Sequence, residues 1–126
     1  MLNSAKDLDV YKLTFSTTLV IYKITELFPK SELFGLVMQM RRAIISINSN
    51  LVEGAVRGGA EYKRFAKISL GSAEELKYQI EISYALGFVN DSDFSQLLEN
   101  LERICKMLMK LIIKLETRIQ EESCKS

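Results

Sequence analysis

Six cations fall between positions 41 and 67: Arg41, Arg42, Arg57, Lys63, Arg64 and Lys67, against the two carboxylates Glu53 and Glu61. The local net charge is +4. Guanidinium and ammonium groups gathered this closely can hold phosphates by charge and by hydrogen bonding. These six are the candidate nucleic-acid contacts. The plainer alternative is a solvated face neutralised by ion pairs within the chain. A second basic row, Arg103, Lys106, Lys110, Lys114 and Arg118, has spacings of 3, 4, 4 and 4, which put it on one face of a helix. Glu99 and Glu102 shield only its start, as i,i+4 partners of Arg103 and Lys106. The flank of a coiled-coil-like helix often has this composition for no ligand at all.

Catalytic chemistry finds little to work with. The chain has no His, so the usual general base near neutral pH and the commonest metal ligand are both missing. Ser46, Asn50 and Glu53 share one helical face, but they lack a base or metal partner. We expect a structural role for this row, with Arg42, Asn50 and Glu53 forming a buried or inter-subunit hydrogen-bond network that sets register. Glu74, Glu75 and Glu81 do not make a di-metal site, because the Glu-x-x-His element of such bundles is absent. No Gly-rich phosphate loop or Ser-His-Asp set is present. Cys105 sits in an apolar row and reads as a core thiol. Cys124 lies in a polar tail and reads as a free one. No cofactor or metal is expected, and the chain reads as a non-enzyme.

With 126 residues, the chain is long enough for one domain and one core, spanning 1–126. Hydrophobic residues make up 48% and charged residues 26%, with a formal net charge of +1. Any electrostatic partner must therefore be chosen by local clustering. No apolar run approaches the roughly 18 residues of a membrane span. The opening residues lack the layout of a secretory signal, and a cytoplasmic protein is expected.

The elements that must position these residues are helices. Residues 5–28 show a row of Leu8, Tyr11, Phe15, Thr18, Tyr22 and Thr25, widened by Leu19, Ile21 and Leu27 and expected to face inward, until Pro29 stops the helix. Ser31 is placed to cap the next. Residues 32–56 carry two apolar rows. Leu33, Val37, Met40, Ile44, Ile47 and Leu51 form one. Phe34, Met38, Ile45 and Val52 form the other, about 120° around the helix. Two rows require more than one apolar neighbour, some of it from another subunit. Arg41 and Asn48 fall inside the apolar arc, and Arg41 needs a partner such as Glu75 or Glu81. Gly58-Gly59 breaks this helix. Residues 60–86 follow, with an inward row of Tyr62, Phe65, Ser69, Ala73, Leu76, Ile80 and Ser83. Gly71 in that helix costs up to about 1 kcal/mol against Ala, so it is expected to admit a close neighbour. After a turn that Asn90, Asp91 or Ser92 can cap, residues 92–121 hold an a/d/e pattern from Phe94 to Ile119, with a frayed tail beyond. Four helices joined by three short turns predict an all-α, antiparallel up-down-up-down four-helix bundle.

Several residues in order carry a resemblance: Phe28-Pro29, Gly35-Leu36, Gln39, Arg41-Arg42-Ala43, Ser46-Ile47, Asn50-Leu51 and Glu53-Gly54. Glu61-Tyr62, Arg64-Phe65, Gly71-Ser72, Glu75-Leu76 and Leu86-Gly87 follow. Over about residues 5–119 the chain resembles the four-helix-bundle proteins encoded in intervening sequences of bacterial 23S ribosomal RNA genes, also labelled S23 ribosomal proteins. The stretch Gln39–Gly54 is the most specific part. Asn48 departs from the Pro found there in many members, which implies a straighter helix. The resemblance implies a homo-oligomer, a pentamer with a central channel, and kinship with the nucleic-acid-binding accessory proteins of diversity-generating retroelements. It assigns Gln39, Ser46, Asn50, Glu53, Gly54, Gly71 and Ser72 to the structural or oligomer-forming motif. It supplies no established molecular activity. Two functions follow as expectations: a non-enzymatic oligomer associated with RNA or other nucleic acid, or a protein-interaction scaffold whose second apolar row binds a partner such as a reverse transcriptase.

Overall fold

The computed structural model describes residues 4–125. A 3-10 turn, Ala5–Asp7, precedes α1 (Asp9–Thr25); a second 3-10 turn, Lys30–Glu32, and a widened turn, Leu33–Val37, precede α2 (Met38–Arg57). Then come α3 (Gly59–Ala85) and α4 (Asp91–Lys125). The described residues form an all-α four-helix bundle.

Side-chain bonds between neighbours fix the directions of the helices. Thr25 meets Arg41 while Tyr11 meets Asn48, so α1 and α2 run oppositely. Ser83 meets Met40 while Ser69 meets Ile47, so α2 and α3 do too. Tyr84 meets Asp91 while Lys63 meets Glu116, and α3 and α4 complete the alternation. Each helix therefore lies antiparallel to the one before it. The interior is filled by Ile21, Met40, Ile44, Ile47, Leu51, Leu76, Ile80, Leu97, Leu101, Ile104 and Leu108, all fully buried.

The helix ends differ from the expected ones for local reasons. Leu8 is extended (φ −73°, ψ 138°), so α1 starts at Asp9 rather than at 5. Gly35 leaves helical geometry (φ −105°, ψ −112°), so α2 begins after it. The widened turn also changes the phase, and Leu33 points outward instead of joining the inward row. Ser31 caps nothing there; the Glu32 carboxylate accepts the Leu36 N–H at 3.4 Å instead. No break occurs at Asn48, whose Nδ2 donates to the Tyr11 carbonyl at 3.1 Å. Gly58, with φ 71°, is the whole connection between α2 and α3. Asn90 caps α4 by accepting the Asp93 N–H at 2.7 Å. The expected frayed tail is helical to Lys125, since Gln120, Glu121 and Glu122 are good helix formers with no Gly or Pro to stop them.

The setting of α1 is the main departure. Its buried stripe is Val10, Thr14, Thr17, Ile21 and Thr25. Of the row expected inside, only Thr25 and, from its flank, Ile21 are buried, while Phe15 is 56% exposed and Leu19 and Tyr22 also lie open. Threonine can face the core because its hydroxyl bonds back along its own helix. Thr17 and Thr25 do so to the carbonyls of Leu13 and Ile21, both at 2.7 Å. Phe15, Leu19, Val20 and Tyr22 of α1 are left outside.

Candidate functional site

The six cations of 41–67 do not form one patch. Arg41 turns to α1 rather than to Glu75 or Glu81. Its Nε donates to Thr25 Oγ1 at 3.0 Å, its Nη2 to the Tyr22 carbonyl at 3.2 Å, and it lies 4.4 Å over the Tyr22 ring. Arg57 bridges Glu53 at 2.6 Å and Glu61 at 3.6 Å. Arg64 binds Glu61 at 2.7 Å, and both arginines sit over the Phe65 ring. Lys63 reaches across to Glu116 on α4. The Arg64 bond holds the Glu61 carboxyl below its ordinary value, and the Lys63 bond does the same for Glu116. Among the described residues, only Arg42 and Lys67 of the six take part in neither an ion pair nor a hydrogen bond, although Lys67 still acts on Glu116 through charge.

The second basic row behaves differently. Arg103, Lys106, Lys110, Lys114 and Arg118 are all exposed. Among the described residues none of them is in an ion pair. The expected Glu99–Arg103 and Glu102–Lys106 pairs do not close.

The polar motif gathers in part. Ser46 Oγ and Ser72 Oγ share a hydrogen bond at 2.9 Å across α2 and α3, and Asn50 Nδ2 donates to Ser46 Oγ at 2.9 Å. Gln39, Arg42 and Glu75 join the two serines around a polar groove of about 390 Å³. The expected Arg42–Asn50–Glu53 network does not form: Asn50 turns to Ser46, the Glu53 carboxylate is taken by Arg57, and Arg42 lines the groove without a hydrogen bond among the described residues. Gly54 is buried, and a Cβ there would meet Phe65 Cβ at 2.9 Å and Tyr62 Cα at 3.3 Å. It is this glycine, one turn before the α2–α3 connection, that lets the helices close. Gly71 was expected to do so, but it faces open space with nothing within 4 Å of a built Cβ.

The second apolar row of α2 is exposed as expected: Phe34, Met38, Ile45 and Val52 all lie open, Phe34 at 79%. A groove of about 650 Å³ is lined by Tyr22, Phe34, Met38, Ile45 and, on its polar side, Arg42, Ser46 and Asn50. A second of about 460 Å³ is lined by Phe15, Leu19, Ile45 and Val52. Ile45 and Ser49 line both, so the two grooves form one apolar face across α1 and α2. Phe15, Leu19 and Tyr22 are the residues the sequence reading missed. The signal was there in the threonines: Thr14, Thr17 and Thr25 have the spacing of a stripe that can go inward.

Cys105 is half-buried, with Sγ 3.1 Å from Glu74 Oε1, and Cys124 is exposed; both are free thiols. Burial and then the Glu74 carboxylate push the Cys105 thiol up to about 12. It is protonated and inert near neutral pH. Among the described residues no group of three or more His, Cys, Asp or Glu could hold a metal. No helix among them is long and apolar enough to cross a membrane.

The fold and these surfaces define a small all-α bundle with a polar seam between α2 and α3 and an open apolar face on α1 and α2. The chain belongs to the 23S rRNA-intervening sequence protein family, whose sequence profile matches residues 6–110. Among solved structures, it is similar to a protein with unknown function from the S23 ribosomal protein family of Bacteroides thetaiotaomicron VPI-5482. The two are 20% identical with a TM-score of 0.74, over 82% of this chain and 94% of that one. That likeness concerns the fold. No curated protein matches.

Proposed function

We propose that the chain is a non-enzymatic cytoplasmic protein that works as a homo-oligomer, a pentamer by family resemblance, and associates with nucleic acid through basic side chains displayed around the assembly. The observation that carries this reading is the α1–α2 face. Monomeric proteins seldom leave a run of large apolar side chains in water. Here Phe15, Leu19, Phe34 and Ile45 are each about half exposed or more. A second copy covering them removes that cost, and a ring repeats every cation of one chain around its rim. The family name supports a link to ribosomal RNA genes, which is why nucleic acid is the ligand of choice.

Light scattering tests the assembly. The wild type is expected at about five times the 14.4 kDa of one chain, and a Phe15→Glu, Ile45→Glu double variant at one. A single-chain mass for the wild type at high concentration would sink the proposal. For the nucleic-acid part, affinity for structured RNA should fall steeply with salt. A second reading has a specific observation behind it: the larger groove is apolar on one side and carries Arg42, Ser46 and Asn50 on the other. That lining also suits an amphipathic helix of a partner protein. A chain that stays single alone, yet captures such a partner without nucleic acid, would favour it.

A further inference from the structure

We infer that the nucleic-acid contact lies on the outer face of α4, made by Arg103, Lys106, Lys110, Lys114 and Arg118, and that its ligand is the phosphate backbone of a duplex. This rests on the nucleic-acid reading above and moves its location away from the α2–α3 turn. At the turn, Arg57, Lys63 and Arg64 are each held by a carboxylate, so a phosphate would have to displace an existing partner. On α4 the five cations are exposed, and among the described residues none of them is in an ion pair. Glu116 lies within the same stretch but is taken by Lys63. Glu99 and Glu102 come before most of the row, and Glu121 and Glu122 come after it.

Geometry makes the row a line. At 100° per residue the five fall within an arc of about 120°, on the side away from the buried stripe Leu97, Leu101, Ile104, Leu108, Ile112 and Leu115. With a rise of 1.5 Å per residue they span roughly 22 Å. Successive charges stand about 5–6 Å apart along the axis, suited to following phosphates in sequence. The chemistry also selects the form of the ligand. From Ser95 to the end of the chain there is no aromatic residue, so this face offers no base-stacking platform of the kind that single strands need. Among residues 103–118 there is no Asn or Gln to read base edges. What remains is a line of guanidinium and ammonium groups, whose chemistry suits the phosphate backbone of a duplex. The apolar α1–α2 face is lined by none of these residues, so assembly and binding do not compete.

The test uses the full-length protein and 25-base-pair RNA and DNA duplexes of two unrelated sequences, titrated over a range of salt. Melting curves and light scattering confirm that each variant stays folded and assembled. Lys106→Gln, Lys110→Gln, Lys114→Gln together should weaken binding at least about tenfold near 100 mM salt, and should flatten the log–log salt slope by up to about 2.7 on DNA. Arg57→Gln, Lys63→Gln, Arg64→Gln together should change affinity by less than about threefold. A single strand of the same length should bind more weakly than either duplex. The converse pattern, with the α4 triple binding normally and the turn triple not, overturns the location and leaves nucleic-acid association standing. A wild type that binds neither duplex overturns both, and binding to phosphatidylserine vesicles in place of duplex would mark the row as a membrane patch and overturn it too.

Discussion

Ile44 and Ile45 are adjacent in the chain and alike in chemistry, yet one is fully buried and the other about half exposed. They belong to the two different apolar rows of α2. Met40, Ile44, Ile47 and Leu51 are sealed between α1, α3 and α4, while Phe34, Met38, Ile45 and Val52 face outward beside Phe15 and Leu19. The inner row holds the chain together. The outer row does nothing for a lone chain and acquires a role only when another surface covers it. Hydrophobicity therefore names two different jobs on one helix, and the jobs separate by about 120° of rotation.

The contrast can be broken first at the inner row. Ile47→Ala should cost about 2–5 kcal/mol, since it removes buried methyl groups and leaves a cavity. Urea unfolding should show that loss at every protein concentration. Gly54→Ala comes next, at about 1–3 kcal/mol, because its Cβ would press on Phe65 and on the Tyr62 backbone. A variant as stable as the wild type would mean that α2 and α3 do not meet there. Gly71→Ala should do the reverse and gain up to about 1 kcal/mol, since that position is open. Ile45→Ala sharpens the comparison. Its effect should be within about 0.5 kcal/mol in dilute protein and should grow with concentration, because only the proposed assembly would bury Ile45. An effect independent of concentration would count against the outer row as an assembly surface.

The smallest effect belongs to the exposed ion pairs at the α2–α3 turn. The Glu61 carboxyl is held below its ordinary 4.5 by Arg64. A lowered folded-state pKa means that the pair's contribution is present above that ordinary value and fades as pH falls through the folded one. The gap in melting temperature between wild type and Glu61→Gln should be slight at pH 7 and should close as acidification protonates Glu61 in the folded protein. A gap that widens on acidification would reverse the sign and refute the pairing.

Much of this was readable from the chain. Helix number, the two rows of α2, the inward stripes of α3 and α4 and the Asn90 cap follow from period and cap chemistry, which are local. The α1 stripe was not, because threonine is apolar enough to bury and polar enough to expose. Only tertiary partners decide which way that helix turns: Arg41 donates to Thr25 Oγ1, and Asn100 Nδ2 donates to Thr17 Oγ1 at 3.4 Å. The same holds for charge. Counting cations placed the candidate patch at 41–67, but pairing depends on which carboxylate a long side chain can reach, and Lys63 finds Glu116 more than fifty residues away. The sequence by itself determined the helices and the amount of apolar surface they carry. Tertiary structure alone decided which of that surface is interior and which cations stay free, because burial and ion pairing are properties of neighbours that meet only after the helices pack.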